Sequence, residues 1–159
     1  MRIIFSKDRP AQLDLLLRSI RKHLPHEATK VIWEYSQPWF VHGYGLIGGL
    51  EVTGGSFNDE LRGALLACPH ETVTFFCDDD VVFRNARPYD ITLNPEVLAW
   101  SLRLGKQNGW MPWPDASIYE DTAIWTWVGL EPHTFGFPAS VDGHTFRVED
   151  IWELIGDDR

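Results

Sequence analysis

Cysteine is scarce in this chain, with two among 159 residues, Cys68 and Cys77. No disulfide framework can be built from them, so the fold must rest on its core, and a reducing cytoplasm fits. Basic residues are outnumbered, 14 against 23 acidic ones, for a formal charge of −9. No basic stripe is visible that could neutralise a phosphate backbone, which argues against nucleic acid as the main partner. No apolar run approaches the length of a membrane span, so no transmembrane segment is expected. The opening, with Arg2, Lys7, Asp8 and Arg9, lacks the uninterrupted apolar stretch of a signal peptide. A GxxxxGK[ST] loop is missing, which disfavours a P-loop nucleotidase or kinase. Repeats, low-complexity tracts and linkers are also missing, so residues 1–159 are read as a single domain.

What the chain does have is apolar and aromatic material. It is 44% hydrophobic and 13% aromatic, and carries eight tryptophans. That excludes disorder and points to a thick core, a ring-stacking surface, or both. Ile3-Ile4-Phe5 reads as a buried strand ending in the turn Ser6-Lys7-Asp8-Arg9-Pro10. Leu13, Leu16, Leu17, Ile20 and Leu24 recur at helical spacing until Pro25. Val31-Ile32-Trp33 is the next strand, and strand–helix–strand in this order suggests a parallel βαβ unit.

Residues 36–55 are punctuated by six glycines and read as a long loop with one irregular helical turn near Tyr44 to Ile47. Ser56 and Asp59 form a capping-box-like pair opening a helix over Phe57 to Cys68. Val73 to Cys77 is a continuous apolar strand of the kind buried on both faces. Asn94-Pro95-Glu96 has the signature of a helix start, with a helix expected to Leu104 and a stop at Gly105. Ile124 to Val128 is the best strand candidate of the later, Trp- and Pro-rich stretch, and Val148 to Ile155 is a last short helix. Together these predict an α/β fold.

The chemistry lies in Asp78-Asp79-Asp80, at the end of the apolar strand. Side chains alternate along a strand, so Asp78 and Asp80 are expected on one side and Asp79 on the other. In open α/β sheets, ligands sit beyond the C-terminal strand ends. Three adjacent carboxylates repel one another, and a divalent cation, Mg²⁺ or Mn²⁺ by preference for oxygen, relieves that repulsion. The plain alternative is a solvated acidic turn. A cation held by one or two carboxylates keeps coordination sites for substrate phosphates and acts as a Lewis acid on a diphosphate leaving group. Glycosyl transfer and phosphoryl transfer both fit. Zinc does not: His23, His26, Cys68 and His70 lack the paired spacing.

Four segments, in order, resemble the bacterial family 2-like group of GT-A-fold glycosyltransferases. IIFSKDRPAQLDLLLRSI, residues 3–20, is similar to its first strand and helix. TVTFFCDDDVVF, residues 72–83, is similar to its DxD segment. NPEVLAWSLRLGKQNG, residues 94–109, resembles its "FSLRLG" helix, and FGFPASVDGHTFRVEDI, residues 135–151, its "YPLSVDGHIFR" segment.

The resemblance implies a GT-A-like (Rossmann-like) fold with a mixed, mainly parallel sheet flanked by helices. A nucleotide-binding half would span about residues 1–90 and an acceptor half about 91–159. It implies that Ser6, Asp8, Arg9 and Pro10 line the nucleotide pocket and that Glu34, Tyr35 and Ser36 lie near base or ribose. Asp78 and Asp79 would meet the donor diphosphate, and Asp78 and Asp80 would flank the metal, Asp80 foremost as direct ligand. The implied activity is transfer of a sugar from a nucleoside diphosphate sugar to an acceptor that is a glycan, a lipid or a small molecule.

The sequence also departs from the family pattern. Members carry a later acidic base at a helix start and a C-terminal histidine completing the metal site, and they continue past the point where this sequence ends, Gly156-Asp157-Asp158-Arg159. A natural minimal enzyme, a truncated one and an inactive fragment are all open. Two local substitutes for the base are Asp142, before Gly143, and Asp150, which with Glu149 opens the last helix. Ordinary turn and helix-start charge is the alternative for them. His144 is a candidate metal ligand, against the plainer role of a structural histidine. Trp110 and Trp113 are candidate acceptor-stacking residues, with core packing as the alternative. Other functions that fit the acidic cluster are a non-catalytic nucleotide- or sugar-binding module and a metal-dependent nucleotidyltransferase or phosphatase.

Overall fold

The computed structural model describes residues 1–48, 56–86, 90–102, 116–119, 122–127 and 140–155. Strand β1 (Arg2–Lys7) leads into helix α1 (Pro10–His23) and strand β2 (Thr29–Glu34). β1 and β2 pair in parallel, so the expected βαβ unit is present. Pro10 sits in the first turn of α1, where its missing N–H leaves no bond unmade. Arg21, Lys22 and His23 occupy its last turn, where cations complement the helix dipole, and Leu24 turns extended just ahead of Pro25.

Helix α2 (Pro38–Gly45) and helix α3 (Phe57–Leu66) follow, and then strand β3 (Thr72–Cys77). α2 is a fuller helix than the single turn expected there, started by Pro38 at its first turn. Ser56 caps α3 as expected: its Oγ accepts the Asp59 N–H at 3.3 Å, and its hydroxyl donates to the Asp59 carboxylate at 2.7 Å. β3 pairs in parallel with the other edge of β1.

The later chain adds a 3-10 turn (Ile91–Leu93), strand β4 (Ala99–Ser101), strands β5 (Ala116–Tyr119) and β6 (Thr122–Trp125), strand β7 (His144–Arg147) and helix α4 (Val148–Ile155). β7 runs antiparallel to β3, and β4 antiparallel to β7. The sheet order is β2-β1-β3-β7-β4, with β7 the one strand opposing the other four, while β5 and β6 form a separate antiparallel pair. The fold is therefore mixed α/β around a mostly parallel five-stranded sheet.

The apolar run of β1 is explained by burial on both faces. Ile3 packs with Ile32, Val73, Phe75 and Phe146 against Ala64 and Leu65 of α3 and Ile151 of α4. Ile4 faces the other way, with Trp33 and Phe76, against Leu13, Leu16, Leu17 and Ile20 of α1 and Tyr44 of α2. Three layers result, helices over each face of one sheet.

The expected helix from Asn94 to Leu104 is not formed over the described part of that range. Asn94 does cap, but only a turn: its side chain accepts the Glu96 N–H at 3.0 Å and its carbonyl accepts the Val97 N–H. Ala99–Ser101 then pairs with β7. The physical reason is Arg147. Its guanidinium donates to the carbonyls of Ile91, Asn94 and Val97 at 2.7, 2.6 and 3.0 Å, of which those of Asn94 and Val97 would have served a helix's own amides. The strand expected over Ile124 to Val128 instead spans Thr122–Trp125.

Candidate functional site: the ends of the first and third strands

β2 and β3 flank β1 on opposite sides, and the helices that lead to them, α1 and α3, pack on opposite faces. Beyond β3 the chain runs along α1, with the Val82 N–H donating to Ser19 Oγ at 3.0 Å and the Ala86 N–H to the His23 carbonyl at 3.3 Å. In open α/β sheets, ligands bind beyond the C-terminal ends of the strands. Register puts Phe5 opposite Cys77, and the Asp78 N–H donates to the Phe5 carbonyl at 3.0 Å. Ser6 to Arg9 and Cys77 to Asp80 therefore meet at one place.

The acidic cluster is a turn, not a continuing strand. β3 ends at Cys77, and the Asp80 N–H closes back on the Cys77 carbonyl at 3.0 Å. A turn, not strand alternation, therefore sets the directions of the three side chains. Asp78 turns inward and is 5% exposed. Asp79 points outward. Asp80 folds back so that its Oδ2 accepts the Cys77 N–H at 2.9 Å.

Asp78 meets three protein donors. Oδ2 accepts from the Ser6 hydroxyl at 2.8 Å and the Lys7 N–H at 3.1 Å, and Oδ1 lies 3.5 Å from Arg9 Nη1. The same Arg9 nitrogen is 3.3 Å from Asp79 Oδ2. Asp78, expected beside the metal, faces Ser6, Lys7 and Arg9, while Asp79 faces Arg9 and Asp80 the Cys77 N–H.

Behind Asp78 the proton order is fixed by valence. A carboxylate only accepts, so the single Ser6 proton goes to Asp78. Tyr44 Oη, 2.7 Å from Ser6 Oγ, must then donate to Ser6, and it accepts the Arg9 N–H at 3.2 Å. Tyr44 is 1% exposed and stacks on Trp33 at 4.3 Å between ring centroids. This residue was not singled out in the sequence. The signal that could have found it is its setting, Gly43-Tyr44-Gly45: a Cβ at Gly43 would come within 2.6 Å of Pro10 Cγ, so glycine lets α2 close on the start of α1.

The turn after β1 reaches the turn after β2. Asp8 has a φ of 60°, a left-handed conformation that Asp tolerates better than most residues. Its Oδ1 accepts the Ser36 N–H at 2.7 Å, and its own N–H donates to the Glu34 carbonyl. These bonds from the Ser36 backbone, and then from its side chain, hold the Asp8 carboxyl below its ordinary value. Lys7 pairs with Glu34 at 3.3 Å, and the exposed ring of Tyr35 lies 6.0 Å from that of Trp33. Ser6, Asp8, Arg9, Pro10, Glu34, Tyr35 and Ser36 thus cluster around the ends of the two strands.

On the other side of β3 lies the segment before β7. Register pairs Phe75 with His144, so two residues further on Cys77 faces Asp142. Burial first, then a hydrogen bond to Asp142 and the charges of Asp142, Asp80 and Asp79, push the Cys77 thiol up to about 12. Cys77 therefore stays protonated at neutral pH and serves as a donor to Asp142, not as a nucleophile. Gly143, with φ 72°, makes the bend that delivers Asp142, and its N–H donates to the Phe75 carbonyl at 2.8 Å. His144 is buried in the strand with Nδ1 3.2 Å from the Asp142 carbonyl.

Asp150 lies elsewhere. Arg147 pairs with Thr72 at the start of β3, so α4 begins at the end of the sheet away from the acidic turn. The Asp150 carboxylate is held there by Arg147 at 3.2 Å, and Glu149 is exposed on the same helix. Of the two candidate bases, the fold brings Asp142 to the end of β3 beside the acidic turn and takes Asp150 away from it. Trp110 and Trp113 lie outside the described residues. Among the described residues, no group of three or more His, Cys, Asp or Glu side chains is arranged to hold a metal ion, and no helix is long and apolar enough to cross a membrane.

No family model, curated protein or solved structure matches this chain.

Proposed function

We propose that the chain is a metal-dependent glycosyltransferase of GT-A type, binding a nucleoside diphosphate sugar beyond the C-terminal ends of β1 and β3. The observation that carries this reading is the convergence there of Arg9, the Asp78-Asp79-Asp80 turn and Asp142, from three separate strand ends. Asp79 and Asp80 supply hard carboxylate oxygens suited to Mg²⁺ or Mn²⁺, and a two-carboxylate set leaves the remaining positions to substrate phosphates and water. When bound, the cation would supply Lewis-acid charge to the leaving diphosphate.

The chain's own residues do the rest. Arg9, now spread between Asp78 and Asp79, turns its guanidinium to the diphosphate, where planar donors match phosphate oxygens. Asp78 keeps the Ser6–Lys7 corner in place. Asp142 accepts the proton of the acceptor hydroxyl, whose oxygen bonds to the anomeric carbon as the bond to the diphosphate oxygen breaks. The nucleoside diphosphate leaves with the electron pair, and the sugar passes through oxocarbenium character, by analogy with glycosidases. With Asp142 as base, inversion of configuration is expected. The cytoplasm is the compartment that the scarce, unpaired cysteines suit.

A second reading is favoured by one observation. Arg9 already offsets Asp78 and Asp79, so a binding module recognising the diphosphate through Arg9 alone needs no cation. Product analysis separates the cases. Incubation with a panel of nucleotide-sugars and Mn²⁺ should release intact nucleoside diphosphate. Pyrophosphate or inorganic phosphate would indicate nucleotidyl transfer or a phosphatase, and binding without turnover would indicate the module.

A further inference from the structure

We infer that Tyr44 is a positioning residue of this site, its hydroxyl fixing Arg9 and Asp78 in one arrangement before any ligand arrives. The inference rests on the donor-binding reading above. It follows from the direction of the buried chain of hydrogen bonds: Arg9 N–H to Tyr44, Tyr44 to Ser6, Ser6 to Asp78. One hydroxyl on α2 thereby grips both the backbone that carries the Arg9 guanidinium and, through Ser6, the carboxylate that guanidinium faces. The Arg9 side chain itself is half exposed and can move toward a ligand, while its backbone amide is tied down. Fixing the anchor and freeing the tip is what preorganised recognition of an anion requires, because the ordering is complete before binding.

Two features show that the contact is built, not incidental. The ring is buried and stacked on Trp33, so the hydroxyl has no freedom to seek other partners. And Gly43, the preceding residue, is in a place where a Cβ would strike the Pro10 ring at 2.6 Å. α2 therefore reaches the start of α1 only because position 43 carries no side chain.

Tyr44→Phe tests the role, since it keeps the ring and its stack and deletes the hydroxyl. The expected result has two parts. Amide hydrogen exchange of Arg9 and Lys7 accelerates about tenfold or more while Ile4 and Phe75 stay as protected as before, and affinity for UDP with Mn²⁺, read by calorimetry, falls about tenfold, the equivalent of one hydrogen bond. Gly43→Ala, which leaves the tyrosine in place but pushes α2 off Pro10, should produce the same two changes. Ser6→Ala combined with Tyr44→Phe should weaken UDP no more than the worse single change, because both cut one chain. A general packing role would move exchange throughout β1 and would give additive losses. Unchanged exchange at Arg9, or unchanged UDP affinity in Tyr44→Phe beside a wild type that binds, overturns the Tyr44 role and leaves the donor reading standing. A wild type that binds no nucleoside diphosphate, with or without Mn²⁺, overturns the donor reading and the role together.

Discussion

The described parts of residues 1–86 and of residues 90–155 are held in shape by different means. In the first region each strand and helix carries its own apolar pattern: Ile3 and Phe5 to one face, Ile4 to the other, and Leu13, Leu16, Leu17 and Ile20 along one stripe of α1. In the second region the path from Ile91 to Val97 is set by the guanidinium of Arg147, 50 to 56 residues away along the sequence, gripping three carbonyls. The two regions meet at β3, whose one edge pairs with β1 and whose other pairs with β7. The first supplies Arg9 and the acidic turn, and the second supplies Asp142. The difference teaches that local pattern can build a strand end, while opposing it with another group depends on distant contacts.

The strongest way to break this contrast is Arg147→Met. It should keep the apolar stem but leave three carbonyls and Asp150 without their cation, with a loss of about 3 kcal/mol. Chemical denaturation reads the loss, and hydrogen exchange should show it first over residues 91–101, with β1 and β2 protected until global unfolding. A variant as stable as wild type would show that the later chain holds itself.

Gly143→Ala sharpens the same contrast at smaller scale. The left-handed φ of 72° should penalise any side chain by about 1–2 kcal/mol. The added methyl would also meet Leu102 Cβ at 3.4 Å. The melting temperature should drop, and turnover, if the donor reading holds, should drop further, because Asp142 moves with the bend. Full stability in Gly143→Ala would contradict the role given to this bend.

The smallest effect belongs to the first region. Asp8 has its carboxyl held below the ordinary range by Ser36, so the folded protein is favoured wherever the carboxylate is ionised. That contribution is present above the ordinary carboxylate value, about 3.9, and is lost as pH falls through the lower folded value. Asp8→Asn should remove this part of the acid dependence of the melting temperature. An identical acid limb in the mutant would sink the clip between the two turns.

Much of the first region was legible because its signals are local. Apolar runs, Pro10, Pro25 and the Ser56–Asp59 pair each specify an element by themselves, and each element formed. The site was legible in part. Asp78-Asp79-Asp80 at a strand end could be read, and so could the end of β3 at Cys77, but not the turn that carries Asp78 inward. Asp142 and Asp150 could not be told apart, since both are carboxylates beside plausible turns, and only the antiparallel register of β7 separates them. Asn94-Pro95-Glu96 misled for a related reason: the cap is real, but the carbonyls needed to extend a helix are taken by Arg147. Tyr44 was hidden because a buried hydroxyl chain leaves no periodic trace.

The central claim is that the acidic turn at the ends of β1 and β3 holds a cation together with a diphosphate. Calorimetric titration of wild type and Asp80→Ala with UDP, each with and without Mn²⁺, tests it most directly. The account predicts binding by the wild type that strengthens with Mn²⁺, and loss of that metal-dependent gain in Asp80→Ala, which stays folded with a melting temperature lowered only by the lost Cys77 N–H bond. Equal affinity in both proteins, or wild-type binding indifferent to Mn²⁺, would contradict it.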